Sequence, residues 1–345
     1  MKQSLIARVG LPRIIIFAFL LLLLALCVLT KQDLGAITGD VIVRFGMNGI
    51  LALSMFPSIL CGAGLNFGVP IGVIAGLVGG LLSVEFGMTG FGGVAAACLF
   101  SVPIAVAFGY LYGKLLNTVK GNEIVVGNYI SYAAVSLMCI FWLLMPFTNP
   151  AITWPIRGTG VRTTVTLEGF YDGLLNDTLS FTVLGVKIPT LLLAAFALAC
   201  VLIWLFSRSK TGLLMKAAGE NPMYAAAAGI SVDAMRLKGI ILSTLLAAVG
   251  IVIYSQSYGF YQLYNAPLNM AFAPVAAVLL GGATTRTVKI RHVIIGTFLF
   301  QAIITVAMPV ANQLAPDGGL AEVARIIVSN GIILYALMQS GGERK

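Results

Sequence analysis

Charge is what this sequence has least of. Lysine, arginine, aspartate and glutamate together make up 10% of its 345 residues, against about a quarter in an average soluble domain. Histidine occurs once, as His292 beside Arg291. With 59% hydrophobic residues and a mean hydropathy of +1.00, the composition excludes a soluble globular protein and describes a polytopic membrane protein. The net charge of +9 then reads as loop charge holding one face inside rather than as a nucleic-acid surface.

Other absences narrow the chemistry. The five cysteines, Cys27, Cys61, Cys98, Cys139 and Cys200, all fall in apolar runs without metal-ligand spacing. They read as small packing residues, and no metal site is expected. Leu26 precedes Cys27 where a lipoprotein signal needs a small residue, so the first apolar run is expected to be an uncleaved span. No phosphate-binding loop is present. The nearest stretch, "GYLYGKL" (109–115), has one residue too few between its glycines and Leu115 where a Mg²⁺-binding hydroxyl would stand. No nucleophile–base set or paired acids stand together, so no catalytic residues are expected. Arg44, Glu85, Glu322 and Arg325 fall near span ends, and the span centres carry no charge. That speaks against a proton-coupled secondary transporter, which keeps an ionisable group at mid-membrane. A sodium-coupled transporter of a small polar solute stays open, because carbonyls and hydroxyls hold sodium. The lack of charged rings disfavours an ion channel.

What is present is a series of apolar stretches, which predict an all-α protein. About ten transmembrane helices are expected, at 14–30, 41–61, 67–84, 91–113, 124–146, 188–207, 237–257, 270–283, 293–311 and 321–339. Fifteen of the 21 lysines and arginines then fall on one face, which predicts that both termini lie inside. The whole chain, 1–345, reads as a single transmembrane domain. It has an extracytoplasmic loop at 147–187 and a cytoplasmic loop at 208–238. "GILALSM" (49–55) and "GIILSTL" (239–245) echo one another near the starts of two four-span blocks, which suggests two inverted repeats.

Glycine is placed with a purpose in the third span. Gly68, Gly72, Gly76 and Gly80 recur every four residues, lining one face where another helix can approach closely. Pro70 interrupts the entry to that span. The stretch serves either simple helix packing or a broken helix of the kind that transporters place at their centre.

The inside loop carries "AAGENPMYAAAAGISVDAMRLKGI" (217–240). Asn221 is a good N-cap, Pro222 suits the first helical position, and Gly229 suits a left-handed stop. Ser231 and Asp233 then start another helix, with negative charge at its positive end. The intervening helix has about seven residues and is marginal alone, so it needs a surface to hold it. Two readings stand: a groove of a cytoplasmic protein receives it against its alanine face, or the loop rests on the membrane.

"AAGENPMYAAAAGI" resembles the coupling segment of ABC importer permeases of the ribose, simple-sugar and nucleoside class, in the branched-chain amino acid/ribose permease superfamily. "GLNFGVPIG" (64–72) resembles that class's third-span element, and "AAVLLGGA" (276–283) its late signature. "KGNEIVVGNYI" (120–130) is similar to the nucleoside-type members. In the sugar type an acidic residue commonly sits in the third-span element; here Asn66-Phe67 occupies that place. The resemblance implies a bacterial cell (inner) membrane protein with several partners: a second permease subunit, same or sister, cytoplasmic ATPase subunits and an extracytoplasmic substrate-binding protein. No cofactor is expected in this chain, ATP and Mg²⁺ belonging to the ATPase. Glu220, Asn221, Ala225 and Gly229 match the coupling motif. From the residues themselves, Asn48, Asn66, Ser131 and Gln301, with the flat face of Phe67, are the expected pathway groups for a neutral nucleoside or monosaccharide.

Overall fold

A computed structural model describes residues 11–153, 160–183, 185–264, 266–314 and 331. Within them the regular structure is helical apart from four three-residue strands. Helix α1 (Leu11–Leu29) leads to α2 (Leu34–Leu53), whose first N–H groups, those of Gly35 and Ala36, donate to the Asp33 carboxylate. Ser54 separates α2 from α3 (Met55–Leu60), its hydroxyl donating to the Leu51 carbonyl at 2.6 Å. A turn through residues 61–68 enters α4 (Val69–Glu85), followed by α5 (Gly90–Thr118) and α6 (Glu123–Leu144). The long loop carries β1 (Thr164–Thr166), α7 (Leu174–Asp177) and the hairpin β2 (Phe181–Val183) and β3 (Val186–Ile188). Then come α8 (Thr190–Arg208), α9 (Lys210–Glu220), α10 (Pro222–Ala227) and α11 (Val232–Tyr258). The described chain closes with β4 (Phe260–Gln262), α12 (Ala266–Asn269), α13 (Ala273–Leu280) and α14 (Ile290–Leu314).

Six of these stretches are long and apolar enough to cross a membrane: α2–α3 together, α5, α6, α8, α11, and α14 as far as Val310. Phe17–Leu29, α4 and Ala266–Leu280 are shorter apolar pieces. The expected span at 321–339 lies outside the described residues. The expected span at 270–283 is not one helix. Only Ala273–Leu280 of it is helical, an eight-residue helix with Pro274 in its first turn; the four-residue α12 ends before the expected span begins. Proline lacks the N–H that would continue a helix through the junction. At ~1.5 Å per residue, α13 reaches less than half of a bilayer core.

Helix α4 is buried on nearly every side, packed between α5 and α11. Its glycines explain how. A Cβ on Gly72 would stand 2.5 Å from the Thr244 carbonyl oxygen, and one on Gly76 would overlap Ala248 and Ile251 of α11. On the other side, a Cβ on Gly79 would stand 2.6 Å from Ala97 and Ser101 of α5. Gly68 and Gly80 instead make room for rings, those of Tyr112 and Tyr261. Without hydrogen in place of a side chain at these positions, three backbones could not approach so closely. The outer helices show the opposite pattern. α5, α6 and α8 expose Leu99, Leu111, Leu137, Leu144, Leu198 and Leu202, the surface that hydrocarbon covers.

The 147–187 loop is fastened at several points. The Glu85 carboxylate accepts from Thr148 N and Oγ1 and from Asn149 N. Gly90 N donates to the Phe170 carbonyl, Leu175 N to Gln256 Oε1, and the Tyr171 and Tyr261 hydroxyls meet at 3.2 Å. Strand β1, built from the β-branched "TVT", pairs antiparallel with β4 directly after α11.

Candidate functional site

The local signals in the 217–240 stretch correspond to particular bonds. Asn221 Oδ1 accepts from Tyr224 N at 3.0 Å, Pro222 opens α10, and Gly229 follows it at φ +80°. Ser231 Oγ accepts from Ala234 N at the start of α11. Helix α10 has six residues, and its faces differ sharply. Ala225 is fully buried, packed in a small core with Met215, Ala218, Ala63 and Ile240. Met223 and Tyr224 are 84% and 73% exposed. Ala225 therefore holds α10 to its own chain, and the surface available to another protein consists of Met223, Tyr224 and the exposed alanines 226–228. Glu220 is exposed and faces Lys216 at 3.7 Å.

Two contacts connect this stretch to the entry of α4. The first is backbone on backbone. A Cβ on Gly219 would overlap the Leu60 carbonyl, and one on Gly62 would stand 2.8 Å from the Gly219 Cα. Gly62 also sits at φ +78°, where a side chain is strained. The second contact is ionic. Arg236, on the first turns of α11, reaches Glu123 Oε1 at 2.6 Å, Asn117 Oδ1 at 3.2 Å and the Gly62 carbonyl at 3.4 Å. Its side chain and that of Glu123 are 11% and 17% exposed, so the pair is largely shielded from water. Glu123, which reads from sequence as a helix-start carboxylate, is thus half of an ion pair joining α6 to α11. The neighbouring Lys120–Asp233 pair, at 2.5 Å, is half exposed and contributes little.

Following the turn inward leads to the polar groups. Asn66 Nδ2 donates to Ser243 Oγ at 2.7 Å, and its Oδ1 accepts from Gly68 N at 2.8 Å. Ser131 Oγ donates to the Phe67 carbonyl at 2.8 Å. Asn66, Phe67 and Ser131 are each 2% exposed, so the cluster is closed. Asn48 and Gln301 stand apart from it. Asn48 Nδ2 donates to the Arg44 carbonyl within α2. Gln301 shares one face of α14 with Thr297 and Thr305, at four-residue spacing, and all three are buried. Gly68 adjoins the cluster through Tyr112, whose hydroxyl also fills the space beside Gly127.

A feature missed in the sequence lies across from Phe67. "LNFGVP" (65–70) has a counterpart in "LNMAFAP" (268–274): Leu-Asn, a short turn, then a proline opening a helix. The two turns meet, Phe67 against Phe272 edge to face at 5.7 Å. Two interrupted helices meeting inside a bundle is the arrangement in which backbone and amides become available to a solute. A separate crevice of about 650 Å³ between α4, α5 and α6 is unsuited to that role. Its walls are apolar, with Tyr112 the exception.

Comparison with known proteins supplies the family. Residues 37–338 match the family described as branched-chain amino acid transport system / permease component. The nucleoside ABC transporter permease protein NupC of Lactococcus lactis subsp. cremoris is 27% identical over 115 residues, 33% of this chain and 36% of that protein. The autoinducer 2 import system permease protein LsrC of Yersinia pseudotuberculosis is 24% identical over 239 residues, 68% of this chain and 61% of its own length. The matched segments thus span less than two thirds of these relatives. A solved structure described as a metal-chelate type ABC transporter in an inward-facing conformation aligns with 93% of this chain and 98% of its own, at 18% identity and a TM-score of 0.44. On the family match, which covers most of its length, this chain belongs to the branched-chain amino acid transport system permease component family.

Proposed function

We propose that this chain is the membrane-spanning subunit of a binding-protein-dependent ABC importer that moves a neutral polar solute inward. A separate ATPase subunit carries the ATP and Mg²⁺ that drive it. One observation carries the choice of solute. Among the described residues every buried polar side chain is uncharged, Asn66, Ser131, Ser243, Gln256 and Gln301 included. A charged solute would find no partner in so dry a path. The Phe67–Phe272 edge offers a planar base an aromatic surface, and the likeness to NupC favours a nucleoside over a monosaccharide.

In this reading α10 is the coupling helix. Met223 and Tyr224 meet the ATPase, and Gly219 and Arg236 carry its motion to the 61–68 turn. The chain spans the bacterial inner membrane about ten times with both termini inside, in two inverted repeats, and pairs with a second permease subunit. The distribution of positive charge and the matched Leu-Asn…Pro entries support that arrangement. The 147–187 loop faces out and receives the binding protein. Single cysteines at Glu168 and Met223 test the orientation: the first should label from outside, the second only after permeabilisation. Competition of radiolabelled uptake in cells carrying the complete system tests the solute. Adenosine or uridine should compete and free ribose or galactose should not; competition by amino acids or inorganic ions would overturn the neutral-solute reading.

A further inference from the structure

A second cavity, of about 680 Å³, opens beside α9 and has an amphiphilic lining. Its apolar lining is Phe56 and Leu60 of α3, Trp204 of α8, Leu213 of α9, and Val288 and Ile290. The charged part of the lining, called the rim below, is Arg208, Lys216, Arg286, Lys289 and Arg291 against a single carboxylate, Glu220. That carboxylate already faces Lys216 on its own helix. Among the described residues no carboxylate pairs with Arg208, Arg286, Lys289 or Arg291. Cations gathered in one concavity repel each other, so the arrangement favours an anion that neutralises them.

The rim is held in place. Thr284 Oγ1 accepts from Arg286 N at 3.2 Å and Thr287 N at 2.9 Å, fixing the turn that carries Arg286 and Lys289. The Arg208 guanidinium lies over the Trp204 ring, 4.0 Å from its centre. Such an aromatic and cation together mark the depth at which lipid headgroups meet hydrocarbon. From there α8 recedes as an exposed apolar face: Leu198, Val201, Leu202 and Leu205.

We propose that this pocket is a binding site for an anionic phospholipid. Its phosphate sits among Arg208, Arg286, Lys289 and Arg291, and its acyl chains run along α8. The two halves of the lining choose this occupant. A free phosphate would use the rim and leave the apolar lining bare, and an acidic protein segment would have no use for an approach along the lipid-facing side of α8. Basic pockets between helices at a membrane surface suit anionic headgroups, each nearby cation strengthening the attraction several-fold. The proposal is independent of which solute is transported.

The full-length protein, purified in detergent and titrated with phosphatidylglycerol, phosphatidylcholine or sodium phosphate, tests it by native mass spectrometry. Phosphatidylglycerol should bind at least about tenfold more tightly than phosphatidylcholine. R286Q/K289Q/R291Q should abolish that preference, whereas R286K/K289R/R291K should keep it. The single variant Arg208→Gln, which alters the charge balance least, should weaken it several-fold and provides the test if the triple variant fails to insert. Equal binding of the two lipids, or a preference unchanged in R286Q/K289Q/R291Q and Arg208→Gln, would overturn the proposal. So would displacement of phosphatidylglycerol by millimolar phosphate, which would mark a free-anion site. Loss of ATPase-subunit binding in the triple variant without any lipid preference in the wild type would also overturn it, marking a protein contact instead.

Discussion

Two helices enter the bundle after a break, α4 after residues 61–68 and α13 after residues 270–272, and the chain leading into each is fastened to a different part of the molecule. The first is tied to the 208–238 loop, by Gly62 against Gly219 and by Arg236 to the Gly62 carbonyl. The second is tied to the 147–187 loop, by β4 against β1, by Leu263 N to the Thr163 carbonyl, and by Tyr261 to Tyr171. They touch at Phe67 and Phe272. In the proposed orientation one turn answers to the ATPase and the other to the binding protein. Access from either side is then set where the two meet. Similar sequence entries are thus held by different parts of the chain at their outer ends.

The largest effect is expected at α10. Ala225→Asp would place a carboxylate in a site with no exposure and no partner, so insertion or folding should fail outright; a pulse-chase of membrane-integrated protein measures it. Tyr224→Ala on the exposed face should leave the protein level unchanged and weaken co-purification of the ATPase. Next is the ion pair. Glu123→Gln leaves Arg236 shielded and unmatched, at a cost on the order of 3 kcal/mol. A thermal shift of several degrees should follow, and the E123R/R236E exchange should recover part of it. A smaller effect is expected at the meeting point. Phe67→Ala and Phe272→Ala should be non-additive by about 0.5–1.5 kcal/mol in a double-mutant cycle on stability. If their effects simply add, the two turns do not act on each other. Smallest is Tyr261→Phe, which removes one hydroxyl contact and should cost about 1 kcal/mol while uptake is kept.

The 217–240 stretch was the part most legible in the sequence, because capping is local: Asn221, Pro222, Gly229 and Ser231 act on groups within a few residues of themselves. The inward face of α10 was not legible. Three consecutive alanines in a six-residue helix leave no apolar period that could assign Ala225 to the core. The short helix inside the expected span at 270–283 was hidden for a related reason, since its apolar run continues to either side of Pro274. Glu123 reads in the sequence as a helix-start carboxylate, but its partner lies far along the chain at Arg236, and sequence spacing carries no trace of that pairing. Asn66, Phe67 and Ser131 converge, whereas Asn48 and Gln301 share their helices' polarity without reaching the same cluster. A polar residue within a span was visible; the side of the helix that it occupies was not.

In the proposed coupling, motion of the 217–240 segment reaches the Asn66–Phe67 turn through the Gly219–Gly62 contact. Gly219→Val, in the complete transporter reconstituted with its ATPase and binding protein, tests this most directly by measuring nucleotide hydrolysis and solute uptake on one preparation. The account predicts an assembled complex whose hydrolysis continues while uptake falls by about tenfold or more, because the added methyls push against the Leu60 carbonyl and displace the turn. Uptake that keeps its wild-type ratio to hydrolysis would contradict it.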